Sequence, residues 1–76
     1  MTILGTLSEL ARKRQDQGVS LATIADETKI NRRYLEAIEE GRLDELPGGI
    51  YRRSYVQQYA QCVDRAAAVE LLHASY

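Results

Sequence analysis

The sequence predicts an all-α fold, a compact bundle of five helices. Three observations carry that expectation. Apolar residues recur every three or four positions through most of the chain, the period of an amphipathic helix. No stretch alternates apolar with polar residues as a half-buried strand would. Glycine, proline, serine and asparagine fall between the periodic segments, where helices start and stop. A chain of 76 residues has room for one domain, 1–76, with a core so small that every apolar side chain matters. Apolar residues at 45% and charged residues at 28% fit a globular protein rather than a disordered one.

Leu4, Leu7, Leu10, Ala11 and Arg14 share one side of a first helix of about three to four turns. Glu9, Arg12, Lys13 and Asp16 take its other faces. Gly18 is placed to end it in the left-handed conformation. Ser20 is an N-cap, because its hydroxyl can accept from the free amides of the next turn. Leu21, Ile24 and Ala25 then form the stripe of a short second helix, which breaks at Thr28-Lys29-Ile30. Asn31 caps a third helix with Tyr34, Leu35 and Ile38 inward and Glu36, Ala37 and Glu40 outward, and Gly41 ends it. Residues 42–46 allow one turn at most, and Pro47-Gly48-Gly49 is the clearest punctuation in the chain. A fourth helix runs from about Ile50 to Val63, with Tyr51, Tyr55, Val56, Tyr59, Ala60 and Val63 on one side. Asp64 caps the last helix, whose apolar residues are Ala66, Ala67, Val69, Leu71 and Leu72.

Composition excludes much chemistry. Cys62 is the only cysteine, so no internal disulfide can form, which fits a reducing cytoplasm. Its expected role is that of a small buried hydrophobe, since a reactive thiol needs a cationic or metal neighbour. His73, the only histidine, has no second ligand at metal spacing and reads as a solvated helix-end residue. Gly48 and Gly49 lack the flanking pattern of a phosphate loop and serve to turn the chain after Pro47. The carboxylates fall on hydrated helix faces with no pocket to pair them. Binding rather than catalysis is expected, with no cofactor and no small-molecule substrate. No apolar run approaches the length of a membrane span, and Met1 opens no secretory signal but is expected to be the natural start.

The residues that carry a function lie between Gly18 and Gly41. Two short capped helices are separated by about three residues, and Ile30 stands ready to plug the angle between them. This is the pattern of a helix-turn-helix, over about residues 20–41. If double-stranded DNA is the partner, the third helix enters the major groove with Asn31, Arg32 and Arg33 nearest the base edges. Arginine pairs with guanine or with phosphate oxygens, and the free amides of the helix start favour an anion. Ser20 and Thr28 would brace the backbone, and Lys29 would meet phosphate. The alternative for these charges is a solvated face with i, i+4 pairs such as Arg32–Glu36. The net charge of −1 is unevenly spread. Residues 32–46 set Arg32, Arg33 and Arg42 against Glu36, Glu39, Glu40, Asp44 and Glu45, whereas residues 47–63 carry only Arg52 and Arg53. Basic spots occur at Arg12-Lys13-Arg14, Arg32-Arg33 and Arg52-Arg53, and a few phosphate contacts would suffice for weak, salt-sensitive binding.

The run Gly18-Val19-Ser20-Leu21, Ile24-Ala25, Thr28-Lys29-Ile30, Arg33-Tyr34-Leu35, Ile38-Glu39, Gly41, Leu46-Pro47-Gly48, Tyr51, Arg53 and Tyr59-Ala60 resembles the helix-turn-helix domain of RodZ-type bacterial proteins. That domain is a branch of the Xre/Cro-repressor-like family. The resemblance covers about residues 4–63 and implies a five-helix, lambda-repressor-like fold. It also implies two functions, of which DNA binding as an Xre-like transcriptional regulator is the first expectation and docking on a cell-shape filament the alternative. Repressor-like relatives bind DNA as transcriptional regulators, which implies a homodimer or a longer parent protein, because one module reaches only a half-site. RodZ-type proteins are membrane-anchored cell-shape proteins whose cytoplasmic domain docks on the actin-like filament protein MreB through aromatic residues of the later helices. Here those would be Tyr51, Arg52, Tyr55 and Tyr59. With no Phe or Trp in the chain, these tyrosines either pack inside with hydroxyls reaching water or leave one ring exposed as an anchor, and Tyr34 is divided between core and surface in the same way. The chain departs from the family in passing from Cys62-Val63 straight into Asp64, where a Gly-Leu-Asp turn is usual. These 76 residues hold neither the basic juxtamembrane stretch nor the membrane helix of RodZ-type proteins. The two expectations are therefore a cytoplasmic fragment of an anchored protein and a free-standing cytoplasmic relative.

Overall fold

The structure is a computed structural model that describes the backbone of residues 3–72 and the side chains of residues 5–69 and of Leu71. His73 and the side chains of Leu4 and Leu72 lie outside the described residues. Five helices follow in order: α1 (Ile3–Asp16), α2 (Leu21–Thr28), α3 (Arg32–Glu39), α4 (Ile50–Val63) and α5 (Arg65–Leu72). A single 3-10 turn, Leu43–Glu45, joins α3 to α4, and there is no strand among the described residues. The radius of gyration of 11.0 Å matches the value of about 11 Å for a folded chain of this length.

The helix ends follow local chemistry. Ser20 Oγ accepts from the Thr23 amide at 3.1 Å, Asn31 Oδ1 from the Arg33 amide at 2.9 Å, and Asp64 Oδ1 from the Ala66 amide at 3.0 Å. Each satisfies an amide that the helix itself leaves unpaired. At the other ends, Gly18 (φ 72) and Gly41 (φ 76) adopt the left-handed conformation. Around each glycine two amides reach back to the last carbonyls. Gly18 and Val19 donate to Gln15 and Arg14, and Gly41 and Arg42 donate to Ile38 and Ala37. The end of α2 differs. There Lys29, not a glycine, takes φ 62, and its amide donates to the Ala25 carbonyl at 2.8 Å. Thr28 holds this turn: its hydroxyl donates to Ile24 O at 2.7 Å and accepts from the Ile30 amide at 3.2 Å.

The buried side chains form one cluster, with Leu7 and Leu10 from α1, Ile24 from α2, Leu35 and Ile38 from α3, Val56 and Tyr59 from α4, and Leu71 from α5. Ile30 is buried in the turn between α2 and α3, wedged into the same cluster. Each such side chain contributes about 1.5–3 kcal/mol, so Leu35→Ala alone, at about 2–5 kcal/mol, would remove much of a small domain's stability.

Two expected faces are corrected. Ala37, expected outward, is 1% exposed. The left-handed Gly41 sends the chain back so that Arg42 N donates to Ala37 O at 2.8 Å, and the 3-10 turn packs over α3. The tyrosines of α4 are not equivalent either. Steps of four residues advance about 40° beyond a full turn, so the row rotates from exposed Tyr51 (62%) through half-buried Tyr55 to fully buried Tyr59 (0%). In α5 the inward residues are Ala67, Ala68 and Leu71, while Ala66 and Val69 face outward.

Candidate functional site

The six residues expected to meet DNA are brought close by the α2–turn–α3 unit, but most are already engaged. Ser20 and Asn31 spend their side chains as caps, and Thr28 spends its hydroxyl inside the turn. Arg32 Nε lies 3.4 Å from Glu36 Oε1, the i, i+4 pair of the solvated-face alternative. Lys29 Nζ sits 4.0 Å from Asp26 Oδ1, with both side chains in water. Arg33 is exposed and has no ion pair among the described residues. Beyond it the exposed end of α3 turns acidic: Glu40 and Glu45 flank Arg42 at 2.9 and 2.7 Å, with Asp44 exposed between them. The two carboxylates hold the Arg42 guanidinium above its ordinary pKa, Glu45 first and then Glu40.

One arrangement was not anticipated from the sequence. Glu39, in the last turn of α3, faces inward and accepts from Arg14 Nε at 2.5 Å, Arg14 Nη2 at 3.1 Å and Tyr59 Oη at 2.7 Å. Arg14 Nη1 also donates to Val19 O at 2.8 Å. The Arg14 and Glu39 side chains are 12% and 11% exposed, so this is a nearly enclosed tie among α1, α3 and α4. The bond to Glu39 holds Arg14 above its ordinary pKa, despite burial. Burial first, and the bond to Glu39 second, push the Tyr59 phenol far above its ordinary range. The signal was Arg14 itself, a cation on the apolar stripe of the first helix, which burial would force to find a carboxylate. Arg14 therefore leaves the basic spot at residues 12–14, and Lys13 is tied to Asp64 across the start of α5.

The second face is on α4. Ile50 (78% exposed) and Tyr51 stand in water at its first turn. Beside them, Tyr55 stacks on Tyr34 of α3, with ring centroids 5.8 Å apart and planes 25° from parallel. Residues 54–63 contain no Asp, Glu, Lys or Arg, and Ser54, Gln58 and Gln61 continue the outer side of the helix as neutral polar groups. Of the four residues expected to meet a protein, Tyr51 and Tyr55 are accessible. Arg52 is half-buried: its Nη2 reaches Leu46 O at 3.5 Å, and its Nε is enclosed without a hydrogen-bond partner among the described residues. Tyr59 is corrected outright, since a fully buried ring bound to Glu39 cannot touch a partner. At the far end of α4, Cys62 Sγ lies 3.9 Å from Glu27 Oε2. Burial and, after it, the Glu27 charge push this thiol above its ordinary pKa, away from reactivity. No group of residues suited to hold a metal ion occurs among the described residues.

The helix order, the capped turn and the buried Ile30 describe a helix-turn-helix, and residues 9–69 match the model of a family described as a helix-turn-helix domain. The chain belongs to the RodZ-type helix-turn-helix family. It is 38% identical over 60 residues to the cytoskeleton protein RodZ of Streptococcus pneumoniae, covering 78% of this chain and 22% of that protein. It is 47% identical over 45 residues to the uncharacterized membrane protein YmfM of Bacillus subtilis, covering 59% of this chain and 16% of that one. The chain thus spans about a fifth of the length of the curated relatives it matches. No solved structure gave a significant match. Among the described residues, no helix is long and apolar enough to cross a membrane. Between α4 and α5 stands Asp64 alone, extended at φ −154, which both breaks α4 and caps α5.

Proposed function

We infer that this RodZ-type domain is a protein-docking module, without catalysis, and that its partner is a cytoskeletal filament protein of the actin-like MreB kind. The observation that carries this is the first half of α4. Two large apolar side chains, Ile50 and Tyr51, are exposed next to the Tyr34–Tyr55 stack and run into a helix face free of charge. Aromatic anchors and depletion of charge mark the centre of protein–protein contacts. The likeness to RodZ, named a cytoskeleton protein, supports the same reading. The module then works on the cytoplasmic side, as the head of a longer membrane-anchored chain, in keeping with its relation to a protein named as a membrane protein.

DNA binding is the second reading, and Arg33 favours it, exposed at the start of α3 with no ion pair among the described residues. Against it stand the Arg32–Glu36 pair, the capping duties of Ser20 and Asn31, and the carboxylates past Gly41. Co-sedimentation with MreB filaments tests the choice. Tyr51→Ala, which removes an exposed ring and leaves the core intact, is expected to weaken binding about thirtyfold, the scale of an aromatic hot spot. Arg32→Ala with Arg33→Ala should leave it within about twofold. Undiminished sedimentation of the Tyr51 variant refutes the docking reading. A salt-sensitive gel shift lost with the arginines establishes the second one.

A further inference from the structure

Two arginines are partly buried, Arg14 and Arg52, and only the first has a counter-charge. Arg52 pairs with no carboxylate among the described residues. Its Nη2 reaches Leu46 O at 3.5 Å, the outer limit of a hydrogen bond, and its Nε is enclosed without a partner. Glu45, the nearest acidic residue in the sequence, is bonded to Arg42, and residues 46–63 contain no Asp or Glu. A guanidinium shielded from water and left without an anion is unfavourable. This one lines a hollow of about 470 Å³ whose walls are Gly49, Ile50, Arg52 and Arg53, with no acidic residue. Gly49 has open space where a side chain would stand. Arg53 is engaged within the chain and serves here only as part of the wall. Ile50, 78% exposed, belongs both to the hollow and to the exposed first turn that carries Tyr51.

We propose that this hollow receives the carboxylate of an aspartate or glutamate side chain of the partner protein, and that Arg52 is the residue that selects it. The inference rests on the docking reading above and names the chemistry of its partner: an acidic side chain placed next to an apolar one. The apolar side chain packs on Ile50 and Tyr51, while the carboxylate turns in to the guanidinium. Arginine presents its donors in a planar fork that fits a carboxylate, and shelter from water strengthens the pair. Arginine beside aromatic rings is also the composition enriched in protein–protein contacts. A protein carboxylate suits the hollow better than a free anion such as phosphate, because Ile50 forms part of the wall. That wall offers a hydrated inorganic ion no contact, but it packs against the methylenes of an Asp or Glu side chain.

Co-sedimentation with MreB filaments tests the contact. Arg52→Met keeps an unbranched stem and removes the charge, and is expected to weaken docking at least about tenfold. Arg52→Lys keeps the charge without the fork and should fall between that variant and the parent. Raising salt from about 50 to about 300 mM should weaken the parent more than Arg52→Met. Urea unfolding separates docking from folding: an arginine that nothing in the chain neutralises adds little to the fold, so Arg52→Met should unfold at the parent's midpoint or above it. Inorganic phosphate should compete with the filaments no better than chloride of equal ionic strength. Arg52→Met docking within about twofold of the parent, while Tyr51→Ala is impaired, overturns the proposal and leaves the proposed function standing. A lowered urea midpoint for Arg52→Met, Arg52→Lys no better than Arg52→Met, or specific competition by phosphate would each overturn it as well. Undiminished docking by Tyr51→Ala removes both the proposed function and this inference.

Discussion

Replacing Glu39 by alanine is the most searching perturbation of this fold. The carboxylate accepts three hydrogen bonds, two from Arg14 and one from Tyr59. Its removal leaves a guanidinium 12% exposed and a phenol inside a fully buried residue, both without their acceptor. Breaking a buried pair from one side costs about 3–5 kcal/mol. Some water reaches this one, so about 3 kcal/mol is expected. A domain of 76 residues has a total stability of about 4–11 kcal/mol. The variant should therefore lose about a quarter or more of its stability and melt about 12–24 °C lower. Tyr59→Phe removes one bond but keeps the ion pair, and should cost about 1 kcal/mol. Arg14→Met with Glu39→Met removes both charges and refills the space, and should cost far less than the sum of the two single changes. Urea unfolding followed by far-UV circular dichroism measures these variants, the two single methionine variants and the parent. A loss under about 1 kcal/mol for Glu39→Ala, or a double variant as costly as the sum, would show that the tie among α1, α3 and α4 is not what holds Glu39 inward.

Two further outcomes are expected. Lys29 occupies the left-handed region at φ 62, where a side chain is strained and glycine is not, so Lys29→Gly should stabilise by up to about 1 kcal/mol in the same urea assay. The bond from Lys13, and after it the amides at the start of α5, hold Asp64 below its ordinary pKa against a smaller effect of desolvation. A carboxylate depressed in the folded state binds its proton more readily when unfolded, so its stabilisation is complete above the unfolded pKa of about 3.9 and is lost as pH falls through the lower folded value. Asp64→Asn should therefore flatten the decline in stability below about pH 4, and added salt should shrink the difference between the two proteins. An unchanged acid limb would contradict the role given to the Lys13–Asp64 pair.

Much of the helix plan was legible in the sequence because its signals are local. Ser20, Asn31 and Asp64 cap within three residues of themselves, and the turns at Gly18 and Gly41 close hydrogen bonds that reach back three and five residues. Such contacts need no knowledge of the rest of the chain. Lys29 escaped that logic, because its left-handed turn is held by the Thr28 hydroxyl and by burial of Ile30 rather than by a glycine.

The candidate surfaces were less legible. Both apolar periodicity and the family resemblance point to a tyrosine row on α4, yet neither says which ring is wet. That depends on how α4 is rotated against α1 and α3, and the rotation puts Tyr51 outside, Tyr55 against Tyr34 and Tyr59 inside. Glu39 counts as an acidic charge on the third helix in the sequence, but in the fold it is taken up by Arg14, which lies 25 residues earlier. Ala37 is covered only because the chain doubles back through Gly41. By itself, then, the sequence determined the all-helical class, the order of the five helices and the helix-turn-helix within them, since those rest on interactions between near neighbours. The tertiary structure alone decided which charges are spent inside and which face of α4 remains for a partner, because burial and ion pairing are set by residues far apart in the chain.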